Sequence, residues 1–489
     1  MTVPRLPTRL AGEPGTATTR QVAAPRDLAG IVARLEAAGI AWQDDAATLD
    51  EHARDWWPLS IGWAARGELL ARPGIVVTPD STTAVAEVVA ACGDARVPFT
   101  IQGGRSGVCG GAVPEPGAVA LDLTRLTGVV AFDEVSLRVR VNAGTFGPEL
   151  EAWLREHGCT AGHFPQSMDL STVGGWVSCR GAGQYSTRYG KIEDIVRGLT
   201  VVLPDSTVVT TGSAGPRQAS GPDLTQLFVG AEGTLGVVTE VELVVHRLAS
   251  SEARRAWSFD SFAEGLEACR AILQRGATPA VLRLYDDAES TRQFGVDRAV
   301  LIVLDEADDR LLDATIAIVE EACRDARTED AALVETWLEH RNDVAALGAL
   351  WERGVVVDTI ETAATWGALP RVHAEVVAAI LAVPGTSVAT VHQSHAYLDG
   401  ACLYFTFAGR PDDADAYYRE VWDHATAAAL HAGASLSHHH GVGRNRAGYL
   451  RDALGHGVDV LASIKGVLDP RWIANPSVLG LHAPPTDAS

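Results

Sequence analysis

The sequence lacks the features that place a chain in a membrane or in an oxidising compartment. It contains no run of roughly eighteen apolar residues, so it predicts no membrane-spanning helix. Its seven cysteines are scattered singly without a CxxC pair, which argues against a disulfide framework and against a structural zinc site. The N-terminal residues carry arginine but no apolar core segment, unlike a signal peptide. We therefore expect a cytoplasmic protein in a reducing environment.

Positive charge is also scarce. The 40 lysine and arginine residues are outnumbered by 62 acidic residues, which gives a formal net charge of -22. A chain this acidic is not expected to bind nucleic acid or an anionic membrane surface. Hydrophobic residues make up 47% of the chain and charged residues 21%, as in an ordinary globular protein. At 489 residues the chain is too long for one compact core, so two domains are expected.

Local patterns predict an α+β fold. In the first half they predict helices at 27–39 and 148–158, a strand–helix–strand unit over 73–104 with Asp80 or Ser81 as the helix cap, strands at 119–126, 137–144 and 233–248, and a hairpin turning at Pro204 and Asp205. The chain is expected to be irregular around 55–58. From about Ser250 it becomes Ala-rich and helical, with strands expected near 281–286, 299–305 and 401–409.

Two glycine-rich segments are the first features that point to a ligand. One spans residues 101–111, and the other spans 171–178 and continues through 180–183. Such segments let successive backbone N–H groups point into one concavity, which suits a pyrophosphate without basic side chains. Neither segment matches a Walker loop or the GxGxxG fingerprint of a Rossmann fold. Each segment alone is more often a turn, so the other motifs decide the interpretation.

Six further motifs occur in order along the chain: GHFPQSMDLSTVGGWVSCRGAG at 162–183, YGKIEDIV at 189–196, EGTLGVVTE at 232–240, ETAATW at 361–366, YLDGACLYFTF at 397–407 and GASLSHHHGVG at 433–443. Together they resemble the FAD-binding superfamily of vanillyl-alcohol oxidase and D-lactate dehydrogenase, in particular the branch of alkyldihydroxyacetonephosphate synthase and its bacterial relatives. The resemblance implies a helical lead-in at 1–70, a PCMH-type FAD-binding domain of two subdomains at 71–248, and an α+β cap domain for substrate at 249–434. The C-terminal segment at 435–489 is then expected to return to the flavin.

The resemblance also implies which residues hold FAD. They are Gln102, Gly103, Gly104, Arg105, Ser106, Gly107, Val108, Gln166, Ser167, Ser171, Thr172, Cys179, Ala182, Ile192, Glu232, Gly233 and Val238. The loop at 102–108 would cradle the pyrophosphate, and residues 232–238 would run beside the adenine and ribose. Some members link the flavin covalently through a His in this first loop, where the present chain has Arg105. We therefore expect non-covalent FAD. Cys109 and Cys179 would lie near it, although buried packing is the more common role of such cysteines.

The same resemblance implies catalytic roles for six residues: Tyr404, His438, His439, His440, Arg283 and His392. Tyr404 would be the acid/base. Because the pKa of tyrosine is ordinarily about 10, a basic role needs nearby cations, which we expect the histidines and the arginine to provide. On a strand, His438 and His440 would share a face opposite His439, unless the segment is a loop. Arg283 on an apolar strand is independently notable because an unpaired buried charge is costly.

Two functions are open on this basis. In the first, the chain is an FAD-dependent oxidoreductase that removes a proton from a hydroxy acid or alcohol while flavin N5 takes the hydride. In the second, it is an ether-forming transferase in which the substrate carbon forms an adduct at flavin N5 without net redox. His392 stands where the synthase branch has an arginine for the substrate phosphate, which weakens the second reading.

Further alternatives concern metal, catalysis and assembly. The D-2-hydroxyacid dehydrogenases of the superfamily bind a divalent metal, and here His439 and His440, joined by His392 or His395, could suit zinc. We favour a site without metal. Another alternative is a non-catalytic flavin-binding protein, in which the histidines would have no catalytic role. The electron acceptor is open between oxygen, a quinone and another protein, and a homodimer is a fair expectation because many relatives self-associate.

Overall fold

The structure is a computed structural model that describes residues 6, 8–22, 26–212, 215–344 and 346–482. The predicted lead-in at 1–70 and the predicted C-terminal segment at 435–489 therefore lie partly outside the described residues. The elements of the first half are β1 (Thr18–Thr19), α1 (Ala29–Ala37), β2 (Trp42–Gln43), α2 (Ala46–His52), α3 (Pro58–Ala65), β3 (Glu68–Leu69), β4 (Ile75–Val77), α4 (Thr82–Ala95), β5 (Phe99–Gln102), β6 (Val119–Asp122), β7 (Val129–Asp133), β8 (Arg138–Asn142), α5 (Gly147–Glu156), β9 (Cys159–Thr160), α6 (Val173–Cys179), α7 (Ser186–Tyr189), α8 (Ile192–Ile195), β10 (Val196–Val202), β11 (Val208–Thr210), α9 (Leu224–Phe228), β12 (Val237–Val244) and β13 (His246–Arg247).

A small, mostly parallel sheet carries the first glycine loop. Its strand order is β2-β4-β6-β5, with β4, β6 and β5 parallel and β2 antiparallel. Strand β6 is buried along its whole length, as expected for a parallel strand covered on both faces. The predicted strand–helix–strand unit is confirmed, and the Ser81 side chain accepts a hydrogen bond from the N–H of Ala84 at the start of α4. Strand β5 ends at Gln102, so the glycine loop begins at the carboxyl edge of this sheet.

An antiparallel sheet completes the first half, in the order β11-β10-β12-β8-β7. On β8, Val139 and Val141 are buried and alternate with Arg138 and Arg140, which both pair with Glu242 on β12. The predicted hairpin is confirmed because β10 and β11 pair antiparallel around the turn at 203–207. The predicted strand at 233–248 is shorter, since regular pairing on β12 begins only at Val237.

The second half begins with β14 and ends with two C-terminal helices. Its elements are β14 (Ser251–Phe259), α10 (Phe262–Gln274), β15 (Val281–Tyr285), α11 (Asp287–Phe294), β16 (Ala299–Ala307), α12 (Asp309–Ala322), β17 (Arg327–Glu329), α13 (Ala332–His340), α14 (Ala346–Glu352), β18 (Val356–Thr365), α15 (Leu369–Leu381), β19 (Thr386–Ala396), β20 (Gly400–Gly409), α16 (Ala414–His431), a 3₁₀ turn (Ala447–Tyr449), α17 (Leu450–Leu454) and α18 (Gly457–Leu468).

Seven strands form the large sheet of this half, in the order β17-β14-β16-β15-β19-β20-β18. Strands β15, β16 and β20 were predicted, but β14, β17, β18 and β19 were not. The missed strands carry Arg, Glu, Thr and His where a half-buried strand would show apolar residues. The alternation of apolar and polar residues that predicts a strand is therefore absent from their sequences. On β20, Leu403, Phe405 and Phe407 pack on the helices, whereas the intervening side chains face the first half.

Segments from both ends of the chain join the two halves. Helix α3 begins at Pro58, the last residue of the stretch expected to be irregular, and its Leu59 and Ile61 lie in the core of the large sheet. At the other end, Phe99 of β5 pairs with Ala474. The chain passes from one sheet to another between β13 and β14, near residue 248, and the domain boundaries expected at 71–248 and 249–434 stay a prediction. None of the helices in the described ranges has both the length and the apolar character needed to cross a membrane.

Candidate active site

One cavity of about 450 Å³ lies between the first half and the face of the large sheet that carries Tyr404. It brings together most of the residues that were assigned from sequence. Those that line it are Gln102, Gly103, Gly104, Arg105, Ser106, Gly107, Val108, Gln166, Ser167, Ser171, Thr172, Cys179, Ala182, Glu232, Gly233, Val238, Arg283, His392, Tyr404, His439 and His440. Cys109 lines it as well. The two glycine segments, which are far apart in the chain, therefore line the same cavity.

Ile192 and His438 do not reach this cavity. Ile192 is fully buried in the core beneath the antiparallel sheet, in the same cluster as Val177, because α8 turns its apolar face inward. The His438 ring lies behind the wall, with Nε2 3.0 Å from the Tyr397 hydroxyl. The backbone oxygen of His438 accepts a hydrogen bond from Lys191 Nζ at 2.6 Å. His438 therefore supports the loop and does not face the ligand space.

The two glycine segments are in direct contact. A Cβ at Gly104 would lie 1.8 Å from the Leu170 carbonyl oxygen, and a Cβ at Gly103 would lie 2.3 Å from Thr172 Oγ1. Only glycine permits this approach. A Cβ at Gly107 would meet no atom within 4 Å, so the space beside Gly107 is open and forms part of the cavity. The Thr172 hydroxyl accepts a hydrogen bond from the N–H of Gly175 at 3.3 Å and fixes the second segment.

Arg105 uses its side chain within the protein. Its Nη2 donates to Glu51 Oε1 at 3.1 Å, and its Nη1 lies 2.8 Å from His52 Nδ1. Its backbone has a φ of 53°, in the left-handed region that non-glycine residues seldom adopt. The guanidinium is thus paired with Glu51 and His52 at the C-terminal end of α2. It provides no nucleophile for a covalent bond to a flavin.

A row of side chains crosses the large sheet toward the cavity. Strand pairing places Tyr285 opposite His392, His392 opposite Tyr404, and Tyr404 opposite Glu361. The rings of Tyr285 and His392 stack at 5.2 Å between centroids, and those of His392 and Tyr404 at 4.9 Å. Arg283, two residues before Tyr285, donates from Nε to the Tyr285 hydroxyl at 3.1 Å. The sheet register therefore groups the candidate catalytic side chains, since cross-strand neighbours share a face.

Tyr404 sits at the centre of this row. Its hydroxyl accepts a hydrogen bond from Thr359 Oγ1 at 3.0 Å and lies 3.4 Å from His440 Nε2. Burial raises the pKa of Tyr404 above its usual value. The hydroxyl therefore keeps its proton at neutral pH in this environment.

The run SHHHGVG is a loop, not a strand, so the expected alternation of His438 and His440 against His439 does not apply. Glu361 holds it from below. One carboxylate accepts from the Ser437 hydroxyl at 2.8 Å, from the N–H of His440 at 2.9 Å and from the N–H of His438. Arg446 Nη1 donates to the same Glu361 at 2.9 Å. Burial alone would raise the pKa of Glu361, but Arg446 holds it well below its usual value, so the carboxylate stays charged.

The histidines around Tyr404 are neutral. Burial lowers the pKa of His392 to about 3, that of His438 to about 3 and that of His440 to about 4. Burial likewise lowers the pKa of His439 well below its usual value. The expectation that these histidines supply positive charge beside Tyr404 is therefore wrong, because the imidazolium form is disfavoured in this enclosed site.

Glu232 holds the same loop from the other side. Its carboxylate accepts from the N–H of Val442 at 2.6 Å and from the N–H of Gly443 at 2.7 Å. Burial raises the pKa of Glu232 to about 7. The loop at 437–443 is thus held by one glutamate from each half, an arrangement that the sequence did not predict for Glu232.

Sequence reasoning missed three residues at this site: Glu361, Arg446 and Arg341. Glu361 and Arg446 are buried, and Arg341 lines the cavity just beyond α13. A charged residue within a strand, as in ETAATW, was an available signal for Glu361, because a buried charge needs partners. Arg341 follows an ordinary amphipathic helix and left no such signal.

Candidate metal ligands also meet at the edge of the cavity. Within the described ranges, one ligand atom each from His395, His438 and His439 lie within 4.8 Å of one another, and so do those of Glu361, Cys402 and His439. His395 Nδ1 already lies 2.8 Å from Ser186 Oγ, and His438 Nδ1 lies 3.0 Å from His439 Nδ1. These nitrogens therefore have partners within the protein.

Comparison with known families agrees with this geometry. Residues 73–212 match the family described as FAD binding domain, and residues 248–479 match the family described as FAD linked oxidases, C-terminal domain. A FAD-linked oxidoreductase of uncharacterised function, YgcU of Escherichia coli O157:H7, is 30% identical over 427 residues, which cover 82% of this chain and 88% of that protein. The chain belongs to the FAD-linked oxidoreductase family. Its cofactor is FAD.

Other relatives of the chain carry the names of different activities. Alkyldihydroxyacetonephosphate synthase of Dictyostelium discoideum is 28% identical over 460 residues, covering 84% of this chain and 74% of that protein. Glycolate oxidase subunit GlcD of Bacillus subtilis is 26% identical over 442 residues, covering 86% and 91%. A solved structure of an alkyldihydroxyacetonephosphate synthase superposes with a TM-score of 0.78 at 24% identity, covering 96% of this chain and 88% of that one, which shows the fold.

The residues present fit FAD. The glycine segments leave an open cradle at Gly107 that a Cβ would fill, and the cavity continues from this cradle to Tyr404. Its volume lies within the range of about 300–1,000 Å³ that is common for ligand sites. The residues that would hold the cofactor are those of the loop at 102–108, the segment at 166–182 and Glu232 to Val238.

Proposed function

We propose that this protein is an FAD-dependent oxidoreductase that oxidises a small polar substrate of the hydroxy acid or alcohol type. The observation that carries the proposal is the position of Tyr404: its hydroxyl lies 3.4 Å from a neutral His440 in a cavity that continues into the FAD cradle. Oxidation of an alcohol carbon releases a proton as well as a hydride, so the site needs a proton acceptor. A neutral imidazole provides one.

When bound, FAD supplies the acceptor for the hydride. The protein's own residues move the proton. The substrate hydroxyl proton passes to the Tyr404 oxygen while the Tyr404 proton passes to His440 Nε2. His440 Nδ1 lies 3.8 Å from Glu361 Oε1, so the charge that forms on the ring faces a carboxylate. In this scheme Tyr404 relays the proton and His440 accepts it, which removes the need for a deprotonated tyrosine.

Arg283 is proposed to orient the substrate. It is buried, it lines the cavity, and it lies on the same strand face as Tyr285, next to His392. A planar guanidinium binds a carboxylate through two parallel hydrogen bonds, which fixes a hydroxy acid in one orientation. The glycolate oxidase and D-lactate dehydrogenase names among the relatives support this substrate class.

The competing function is an ether-forming transfer of the alkyldihydroxyacetonephosphate synthase type, which several relatives carry by name. The same row of residues would then handle the proton without net redox. Burial lowers the pKa of His392 to about 3. His392 is therefore neutral and adds no positive charge for a phosphate, which argues against the transferase.

Anaerobic mixing of the purified flavoprotein with short 2-hydroxy acids, simple alcohols and an acylated dihydroxyacetone phosphate separates the two functions. Lasting loss of the oxidised flavin absorbance with a hydroxy acid or alcohol is the expected result. Release of a fatty acid with the flavin still oxidised would establish the transferase and refute the oxidoreductase. Absence of both would refute each of them for these substrates.

We also propose a cytoplasmic location. Every cysteine is a free thiol, including the buried Cys109 and the partly buried Cys179 beside the cavity. Burial raises the pKa of Cys179 to about 12, so it stays protonated. Fractionation of cells that express the protein from its own gene tests this, and recovery outside the cytoplasm would refute it.

A further inference from the structure

The wall of the cavity formed by the second half contains two arginines grouped around one indole. Trp337 lies on α13, Arg283 on β15 and Arg341 immediately after α13, and all three line the cavity. The guanidinium carbon of Arg283 lies 5.5 Å from the centroid of the Trp337 ring, and that of Arg341 also lies 5.5 Å from it. The two cations are therefore no more than twice this distance apart.

Arg341 is held in place from the opposite half of the molecule. Its Nη1 donates to Gln184 Oε1 at 3.3 Å, and Gln184 Nε2 donates back to the Arg341 carbonyl at 3.2 Å. The guanidinium also lies 5.3 Å from the ring centroid of Tyr185. Gln184 directly follows the glycine segment that lines the flavin side of the cavity. The position of Arg341 is thus fixed relative to the cofactor cradle.

Neither arginine has an acidic partner among the residues that the structure describes. Arg283 donates to the Tyr285 hydroxyl, and Arg341 contacts Gln184 and the Tyr185 side chain, all of which are uncharged. Arg292 in the same wall behaves differently, because it pairs with the buried Glu289. Arg283 is only 7% exposed, and a guanidinium enclosed without a counter-ion is costly. A ligand anion would offset that cost.

We propose that Arg283 and Arg341, grouped around Trp337, bind a substrate that carries two anionic oxygen groups. This rests on the proposed oxidation of a hydroxy acid and adds a second negative charge to it. Arg283 binds the group next to the reacting carbon, and Arg341 binds the distal group at the wall bordering Gln184. Each group is a carboxylate or a phosphate, since both match the fork of guanidinium donors. Arg341 is then a specificity-determining residue.

Calorimetric titration of the holoenzyme tests the proposal without turnover. The probes are malonate, with two carboxylates, inorganic phosphate, and acetate as the single-charge reference. We expect malonate or phosphate to bind at least about tenfold more tightly than acetate. In Arg341→Gln that preference should fall by about tenfold or more, while acetate affinity stays within about twofold. Arg341→Lys keeps the charge and loses the fork, so it should fall between the two.

Arg371→Gln is the matched control, because this exposed arginine pairs with Glu375 on α15, in the helical layer of the second half. It should leave all three affinities unchanged. Equal binding of malonate, phosphate and acetate by the wild type, or an unchanged preference in Arg341→Gln and Arg341→Lys, would overturn the proposal. If no substrate reduces the flavin but the malonate preference and its loss are observed, the oxidoreductase function fails and the anion site stands. Reduction of the flavin by hydroxy acids without the malonate preference would support the oxidoreductase function and refute the anion site.

Discussion

Glu361 and Arg446 form an ion pair in which both side chains are fully enclosed, with Oε1 and Nη1 2.9 Å apart. Glu361 lies on β18 and Arg446 follows the loop at 437–443, so the pair joins the large sheet to the C-terminal segment. The same carboxylate receives two backbone N–H groups of the histidine loop. The position of His440 relative to Tyr404 therefore depends on Glu361, a residue outside the lining of the cavity.

Replacing Glu361 by glutamine should destabilise the protein by about 3–5 kcal/mol, because the Arg446 cation would stay buried without its partner. Urea unfolding followed by circular dichroism measures this. Glu267→Gln is the control, since its ion pair with Arg270 is on the surface and should cost less than about 1 kcal/mol. A double variant, Glu361→Gln with Arg446→Met, should recover part of the loss. Equal stability of Glu361→Gln and wild type would contradict this account of the loop.

Replacing Tyr404 by phenylalanine should lower kcat by about 100-fold or more, because the proton then has no path to His440. Bound FAD, measured by its absorbance, should stay at the wild-type level. Tyr417→Phe is a closely matched control: it too removes a tyrosine hydroxyl paired with a threonine, Thr386, but on the far side of the sheet. Turnover of Tyr404→Phe at the wild-type rate would refute the relay.

Acid should destabilise the protein partly through His163. Both of its ring nitrogens are buried without a partner in the described residues, and burial lowers its pKa to about 3. Because the unfolded chain binds a proton near pH 6.5, the stability contributed by the neutral ring is present above that pH and is lost as the pH falls toward 3. In His163→Phe the midpoint of thermal unfolding should fall less between pH 7 and pH 4. The exposed His431→Gln should follow the wild-type curve, and a parallel curve for His163→Phe would exclude His163 as a source of acid lability.

Replacing Gly104 by alanine should abolish FAD retention, because its Cβ would collide with the Leu170 carbonyl and push the two glycine segments apart. Absorbance at the flavin bands, relative to protein, measures the loss. Gly30→Ala serves as the control, since a Cβ there meets no atom within 4 Å and helix α1 should gain slightly in stability. Full FAD occupancy in Gly104→Ala would show that the loops can separate without losing the cofactor.

The purified protein should contain no stoichiometric divalent metal. Among the clustered histidines, Nδ1 of His395 already contacts Ser186 Oγ, and Nδ1 of His438 contacts Nδ1 of His439. Elemental analysis after extensive dialysis against a metal-free buffer measures this. About one zinc or manganese per chain, lost together with turnover on chelation, would instead establish the metal-dependent alternative.

The sequence predicts the cofactor better than it predicts the reaction. The family resemblance implied seventeen FAD-binding residues, and all of them but Ile192 line the cavity. The sequence could not predict contacts between the two halves. Glu232 contacts Val442, and Arg341 contacts Gln184, and the residues of each pair are more than 150 positions apart. The charge of the histidines depends on burial, which no local pattern encodes, so their neutrality also had to come from the structure.

The pairing of Phe99 with residues 473–475 has a consequence for synthesis of the chain. The N–H of Phe99 donates to the Ile473 carbonyl and its own carbonyl accepts from Asn475, whose side chain reaches Gly111 and Glu232. The edge strand that leads into the flavin cradle is thus completed only after more than 370 further residues have left the ribosome. Such distant contacts form late. The nascent protein should acquire its yellow colour only after residues 473–475 have emerged, and stalled chains ending before residue 473 should stay colourless.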